Sequence, residues 1–324
     1  MSSPTVSVII LSYNRRDEMR ECINSIMAQD YADYEIVILD NGSTDGSVEM
    51  LRAEFPEIKL ILLDENVGAS AGRSRALEHA EGSLVLQVDN DAILMPTSAM
   101  RMMVDRFRKE DDLGIIFTRI EDPATGITYR QGYGSRFLDE EFYTWRFHGC
   151  VAMIRRDAIV KAGYYLPAEF FRASEENDLA VRVLDAGYNI LYMPSTLALH
   201  KRSPKMRDRG EIIFLTVRNN LAVAWKFMPI WRAVVLTLWR TPYFLVTRLL
   251  SGDVGAFGRL LGIAAGIRGA LSRRRPVSRD TVAIIDALTI APALDVEAMR
   301  SLRAQPPKTP FTTLILRRMR GHPT

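Results

Sequence analysis

The chain has 324 residues, of which 48% are hydrophobic and 25% charged, a composition that excludes a disordered or fibrous protein and leaves room for a large core. Two cysteines far apart in sequence, Cys22 and Cys150, argue against a disulfide framework or a cysteine-built metal site and suit a reducing cytoplasm. The net charge of +3 hides a division: residues 1–200 hold 20 Lys+Arg against 32 Asp+Glu (−12), and residues 201–324 hold 22 against 7 (+15). Such a basic final third is suited to an anionic partner: a phospholipid surface, a polyprenyl phosphate acceptor or nucleic acid.

Thr5 to Leu11 is a β-branched run bounded by Pro4 and Ser12, and predicts a buried first strand. It is too short for the apolar core of a signal peptide and has no basic flank, so no leader is expected. After the turn Ser12-Tyr13-Asn14, a helix is predicted from about Asp17 to Gln29, with Met19, Cys22, Ile23 and Ile26 on one face. Glu35 to Leu39 is a second strand, running into the polar turn Asp40 to Ser47, and a short helix follows to Glu54. Ile58 to Leu63 is a third strand. Asn66-Val67-Gly68 and Gly72-Arg73 lead into a helix through Ala80. The fourth apolar run, Leu84 to Leu94, carries Asp89 and Asp91 near its end. Alternation along one extended strand points these carboxylates the same way. Like charges at the mouth of a buried strand repel unless a cation joins them, and a hard divalent ion with oxygen ligands would do so. The plain alternative is an ordinary acidic turn.

Four strand–helix alternations predict a mostly parallel sheet covered by helices, with Asp40, Asn66 and Asp89 at the edge where ligands of open α/β sheets lie. A helix near Thr97 to Arg108 and a strand from Leu113 to Thr118 follow. Glu121 to Phe147, with Gly126, Gly132 and Gly134, reads as hairpins or a long loop beside an acceptor. Gly149 to Ile154 is a strand, and Arg155 begins a short helix that stops at Gly163. The next acidic cluster, Ser174 to Asp178, opens a helix. Capping accounts for part of it. Yet Glu175, Glu176 and Asp178 crowd one turn, and crowded carboxylates raise one another's proton affinity, which makes a general base near neutral pH. Asn189 to Met193 is a strand ended by Pro194, and His200 closes a further apolar run beside Lys201, Arg202 and Ser203, a set suited to metal and phosphate together.

Taken in order, VSVIILSYNRRDEMRECINSIMAQ, EIVILDNGSTDGS, NVGASAGRSRALEHAEG, VDNDAIL, SEENDLAVRVLDAGY, ALHKRS and VRNNLAVAWK resemble the motifs of bacterial family 2 glycosyltransferases, inverting enzymes of GT-A fold. The resemblance covers roughly residues 4–226. It implies that Asp40 bonds the nucleotide base in a pocket lined by Ser12, Tyr13 and Asn14. Asn66, Gly68, Arg73 and Asn90 would complete the donor site, and Asp89 would face the ribose or donor sugar. Asp91 would bind Mn²⁺ or Mg²⁺ on the diphosphate, His200 would complete the metal shell, and Arg202 and Ser203 would touch the diphosphate. The family's base is the second acid of a Glu-Asp pair. Here that position is Glu176, a departure that leaves Asp178 as the alternative. Leu11-Ser12 replaces a more frequent Pro-Thr, and Ser74 replaces an Asn of the second loop.

The implied chemistry is attack by an acceptor hydroxyl on a UDP-, dTDP- or GDP-linked sugar, with inversion, in the synthesis of a cell-surface polysaccharide, glycolipid or other glycoconjugate. The acceptor is a carbohydrate, a lipid-linked sugar or a small molecule. A dinucleotide-dependent oxidoreductase is disfavoured because no G-x-G-x-x-G follows the first strand. A non-catalytic nucleotide or carbohydrate binder is the other rival, and no nucleic-acid module is recognisable.

Pro229 to Leu250 is apolar but carries Arg232, Arg240, Pro242 and Arg248, too many interruptions for a membrane span. Its Trp231, Trp239, Tyr243 and Phe244 suit a helix lying in a membrane interface. Val254 to Leu271 repeats the mixture, and Arg273 to Arg275 and Arg317 to Arg320 add clusters that anionic lipid would attract. A helical subdomain packed on the core, or a homodimer interface, is the alternative. The expected organisation is residues 1–110 for the nucleotide sugar, 111–226 for the acceptor and 227–324 as a helical, basic extension. The expected location is the cytoplasm, peripheral on the inner face of the cell membrane if the membrane reading holds.

Overall fold

The computed structural model describes residues 5–129, 137–167, 169–201, 209–250, 252 and 255–307. Gly132, Gly134, Arg202, Ser203 and Arg317 to Arg320 lie outside the described residues.

The N-terminal part alternates as its sequence predicts: β1 (Val6–Ser12), α1 (Arg16–Met27), β2 (Tyr34–Asp40), α2 (Ser47–Glu54), β3 (Lys59–Leu62), α3 (Gly68–Glu78) and β4 (Leu84–Asp89). There follow β5 (Ala92–Met95), α4 (Ala99–Lys109), β6 (Leu113–Glu121), β7 (Phe142–Thr144), β8 (Val151–Arg155), α5 (Arg156–Ala162), α6 (Glu176–Asp185) and β9 (Asn189–His200). One sheet takes all the described strands in the order β3-β2-β1-β4-β8-β6-β9-β5, with β7 also on β9. Its first four strands are parallel; β8 runs antiparallel to β4 and to β6, and β6 is parallel to β9. β1 is buried on both faces, and α1 seats Met19, Cys22, Ile23 and Ile26 against the sheet, the stripe visible in the sequence.

Register levels the strand ends at one edge. Ser12 lies beside Asp40 across β1/β2, and Leu11 beside Asp89 across β1/β4. Polar residues that end separate strands are thereby gathered on one line.

Two expectations about strands are corrected. Leu84 to Leu94 is not one strand: β4 ends at Asp89, Asn90 and Asp91 turn, and β5 leaves to pair with β9. Alternation therefore does not account for how Asp89 and Asp91 converge. Nor does Pro194 end a strand. β9 continues to His200, and the register jumps from Thr118↔Met193 to Arg119↔Leu197, so an irregularity absorbs the residues around the proline.

The final third folds as α7 (Arg209–Phe227), α8 (Ile230–Leu250), α9 (Ala256–Ser272), α10 (Arg279–Ile290) and α11 (Val296–Ala304). α7 packs on α8 and α9. The chain then returns to the sheet, where Ala293 exchanges backbone hydrogen bonds with Tyr143 of β7 at 2.7 and 3.1 Å. Among the described residues, no helix is long and apolar enough to cross a membrane.

Candidate active site

A cleft of about 880 Å³ opens at the carboxyl edge of β1, β2 and β4. Tyr13, Asn14, Asn66, Gly68, Arg73, Asp89, Asn90, Asp91, His200 and Glu176 all line it. Ser12 and Asp40 lie beneath its wall, both buried. The Ser12 carbonyl accepts from Asn41 N at 2.8 Å. Asp40 is spent on its own turn, accepting from Ser43 N at 2.8 Å and Ser43 Oγ at 2.6 Å. The neighbouring Asn41 reaches the cleft instead, donating to Asn66 Oδ1 at 2.8 Å and accepting from Val67 N at 2.9 Å. Asn14, at φ 56°, accepts from Thr44 N through its side chain at 2.9 Å and so ties the first turn to the second. Gly68 sits at φ +86° with Phe171 only 2.5 Å from where a Cβ would stand, so no side chain fits there.

Asp91 and His200 meet because β5 and β9 pair: Ala92 is opposite His200, and Lys201 N donates to the Asp91 carbonyl at 3.0 Å. His200 Nε2 lies 3.2 Å from Asp91 Oδ1 and 3.8 Å from Asp89 Oδ2. Arg15 pairs with Asp91, and Arg73 with Asp89. Burial, reinforced by the charge of Asp91, raises the Asp89 carboxyl against the pull of Arg73. Burial works to lower the His200 imidazole, but its hydrogen bond to Asp91 and the two carboxylate charges prevail and raise it. Donor atoms of Asp89, His200 and Cys150 lie within 4.8 Å of one another. Burial, with the charges of Asp89 and Asp91, pushes the Cys150 thiol far above its ordinary range, so it is a poor ligand. Asp89 and His200 remain, and Asp91 joins them through its 3.2 Å approach to the same imidazole. That donor set fits a hard or borderline divalent cation such as Mg²⁺ or Mn²⁺.

The acidic turn before α6 is held from outside. Ala173 and Ser174 have φ of 69° and 60°. Asn219 of α7 donates to the carbonyls of Arg172 and Ala173 at 3.0 and 2.6 Å, and Asn220 bonds Ser174 Oγ and Asn177 at 3.1 and 2.9 Å. The VRNNLAVAWK motif, which lies on α7, is thus a clamp on the acids. Glu176 Oε1 accepts from Gly149 N at 3.2 Å, and a Cβ at Gly149 would stand 3.0 Å from Glu176 Cγ. Only glycine leaves that carboxylate its place. Glu175 is buried and paired with Arg73 at 3.1 Å. Burial and the neighbouring Glu176 push its carboxyl up to about 8, against the pull of Arg73. Burial likewise raises Glu176.

The Glu175 shift has a consequence for stability. Folded Glu175 binds its proton more tightly than the unfolded residue, whose ordinary value is 4.5. Between about pH 4.5 and 8 the folded state therefore holds more protons, and stability falls as pH rises through that window. Thermal melts of Glu175→Gln should show a shallower decline over that range than wild type. Parallel melting curves for the two proteins would exclude the buried proton.

Asp178 is not brought to the cleft. It is fully buried, accepting from Arg182 Nε and Tyr164 OH at 2.7 Å and from Lys226 Nζ at 2.9 Å. These contacts lock α6 to α7. Removing one partner of a buried ion pair leaves the others uncompensated, so Asp178→Ala should lose roughly 3–5 kcal/mol of stability, read as a lower melting temperature. A wild-type melt for that variant would return Asp178 to the candidates for chemistry.

Residues 7–163 match the sequence model of glycosyl transferase family 2. That match covers 157 of the 324 residues, just under half of the chain, and takes in β1 to β8 of the sheet. It is 27% identical over 264 residues to an N-acetylglucosaminyltransferase of Bradyrhizobium diazoefficiens, covering 70% of this chain and 51% of that protein. It is 38% identical over 117 residues to the uncharacterized glycosyltransferase YibD of Escherichia coli, 35% of this chain and 33% of that one. The chain thus spans about half, or less, of the length of these curated relatives. Among solved structures, it resembles the mannosyltransferase PcManGT of Pyrobaculum calidifontis in complex with GDP-Man and Mn²⁺. There the TM-score is 0.56 at 21% identity, over 84% of each chain. Residues 1–349 of TarS from S. aureus give 0.59 at 17% identity, over 98% of this chain and 92% of that one. At these identities the likeness shows the fold, which is GT-A.

Proposed function

We propose that this chain is an inverting, metal-dependent glycosyltransferase of family 2 that moves a sugar from a nucleoside diphosphate to an acceptor hydroxyl. The observation that carries the reading is the meeting of Asp89, Asp91, His200 and Glu176 in one cleft, drawn from three separate segments of the chain. Tyr13, Asn14 and Asn41 are suited to the nucleoside, above the turn that Asp40 and Ser12 support. Asn66, Gly68 and Asn90 shape the donor site, and Arg73 holds Asp89 toward the ribose or donor sugar. Asp91 and His200, with Asp89 beside them, would hold Mn²⁺ or Mg²⁺. Such an ion, when bound, neutralises charge on the departing diphosphate as a Lewis acid. The complexes of PcManGT with GDP-Man and Mn²⁺, and of GalNAc-T7 with UDP, GalNAc and Mn²⁺, support that assignment. Glu176 takes the acceptor's proton as its oxygen bonds the anomeric carbon and the carbon–diphosphate bond breaks on the opposite side. The nucleoside diphosphate leaves, and no bond to the protein forms. Residues 1–110 then serve the donor, 111–226 the acceptor, and 227–324 form the extension. A role in cell-surface glycoconjugate synthesis, on the inner face of a membrane, fits the basic final third.

The test is calorimetry of UDP-, dTDP- and GDP-sugars with and without Mn²⁺. One of them should bind, and binding should weaken on chelation. Failure of all three with the metal present would leave the chain a binder of something else.

A further inference from the structure

A second cavity, of about 500 Å³, lies between the sheet and the C-terminal helices. Glu176 is the one residue, among those described, that lines both it and the donor cleft. If Glu176 is the base, the acceptor hydroxyl must arrive from this side. The inference therefore rests on the reading given above. The cavity wall carries Trp145, half-buried and packed on the core, with the Arg146 guanidinium 4.3 Å over its ring, a stack that offers a sugar an apolar edge beside hydrogen-bond donors. His148 beside it is pushed down to about 4 by burial and by Arg146, so it is neutral and offers a hydrogen bond without a charge.

The far wall is α8. From it, Arg232 and Arg240 enter the lining. Arg232 is tied to Asp286 at 2.5 Å. Arg240 makes no hydrogen bond or ion pair among the described residues, and no acidic residue lines the cavity apart from Glu176. An exposed guanidinium in the lining of a site suits a phosphate or another anion. The flank of the same helix next to these arginines is exposed and apolar: Leu238 is 69% exposed, Trp239 71% and Tyr243 69%, with Trp231, Val235 and Val246 alongside. Monomeric proteins rarely leave such a face to water. Aromatics and aliphatics on one helix face, in a segment of net charge +15, match an anionic membrane interface in both charge and polarity.

We propose that the second cavity is the acceptor site and that its acceptor is a lipid-linked sugar phosphate. The sugar lies against the Trp145–Arg146 stack with its hydroxyl toward Glu176. The phosphate linkage rests on Arg240 at the rim, and the lipid stays in the bilayer into which the outer face of α8 dips. One helix thereby carries both the membrane contact and the anion contact. This explains why Arg240, without a partner among the described residues, stands one residue from the exposed Trp239.

The test is co-sedimentation of the full chain with three vesicle preparations: phosphatidylcholine alone, with phosphatidylglycerol, or with polyprenyl phosphate at matched surface charge. Wild type should bind the polyprenyl phosphate vesicles at least about tenfold more tightly than the phosphatidylglycerol ones, the scale of one charge-assisted contact. Arg240→Gln should abolish that preference while keeping the phosphatidylglycerol binding. Trp239→Glu should weaken binding to every vesicle. Both variants should bind UDP with Mn²⁺ as wild type does, if UDP is the donor nucleotide. An unchanged preference in Arg240→Gln overturns the proposal. So does displacement by inorganic phosphate with an affinity equal to the lipid's, which would mark a water-soluble acceptor. A dimer in light scattering that takes up no vesicles also overturns it, by giving α8 to a second copy. If the lipid preference holds while no nucleotide sugar binds, the transferase reading fails and the lipid site stands.

Discussion

Glu176→Gln is expected to lower kcat by about 10²–10⁴-fold, the range that a positioned base contributes, while affinity for the nucleotide sugar stays at the wild-type level. The two carboxylates of the turn are separated by their surroundings. Glu175 faces Arg73, and its proton is bound by burial and by its neighbour. Glu176 accepts from the Gly149 amide and looks into both cavities. Gln keeps the volume and still accepts from Gly149, so the fold and the donor cleft are undisturbed. What is lost is the capacity to accept a proton. Because burial raises Glu176, the acidic limb of kcat/KM should stand above the ordinary glutamate range: activity falls as pH falls through that raised value. Steady-state kinetics over a pH series, with donor binding measured separately, checks both statements. Undiminished turnover in the variant would move the base elsewhere, with Glu175 next in line.

Asp91→Ala should cut metal-dependent nucleotide affinity by at least about 100-fold, since even the outer partners of a metal's ligands are worth 10–100-fold. Asp91 stands in the turn between β4 and β5, and its fold contact with Lys201 is made by its backbone carbonyl. The side chain can go without loosening the strands. Its removal leaves Arg15 and His200 without their shared carboxylate, so the site loses one negative charge beside the two cationic side chains. The variant should therefore bind nucleotide with or without Mn²⁺ alike, a loss of metal linkage rather than of all binding. Calorimetry at several Mn²⁺ concentrations reads this directly. Wild-type metal dependence in Asp91→Ala would exclude the aspartate as a ligand.

Much of this was legible along the chain. The alternation from Val6 to Asp89 and the apolar face of α1 follow from periods of two and 3.6, which are local. So does the placing of polar residues just after buried strands. The acids were visible as types, but not their assignments. Asp40 and Asp178 read as functional in sequence; one is absorbed by a turn and the other by an ion cluster. Asn41, Gly149 and Asn219 passed unmarked as site residues, although Asn41 and Asn219 stand inside motifs that were quoted. An amide or a glycine looks like turn chemistry until its partner is known.

By itself the sequence determined the kind of protein: an open α/β sheet, its ligand edge, a run of motifs resembling one family, and a pool of acids and one histidine from which a cation site can be made. Tertiary pairing alone decided which of them meet. Asp91 reaches His200 because β5 leaves the run it was read with and joins β9, and Glu176 stands between two cavities because α7 clamps its turn. Neither could be read in advance. Strand pairing joins Ala92 to His200, 108 positions apart, and helix docking joins Asn219 to Ala173, 46 apart; the free energy that selects such an arrangement belongs to the whole core, not to any stretch of it.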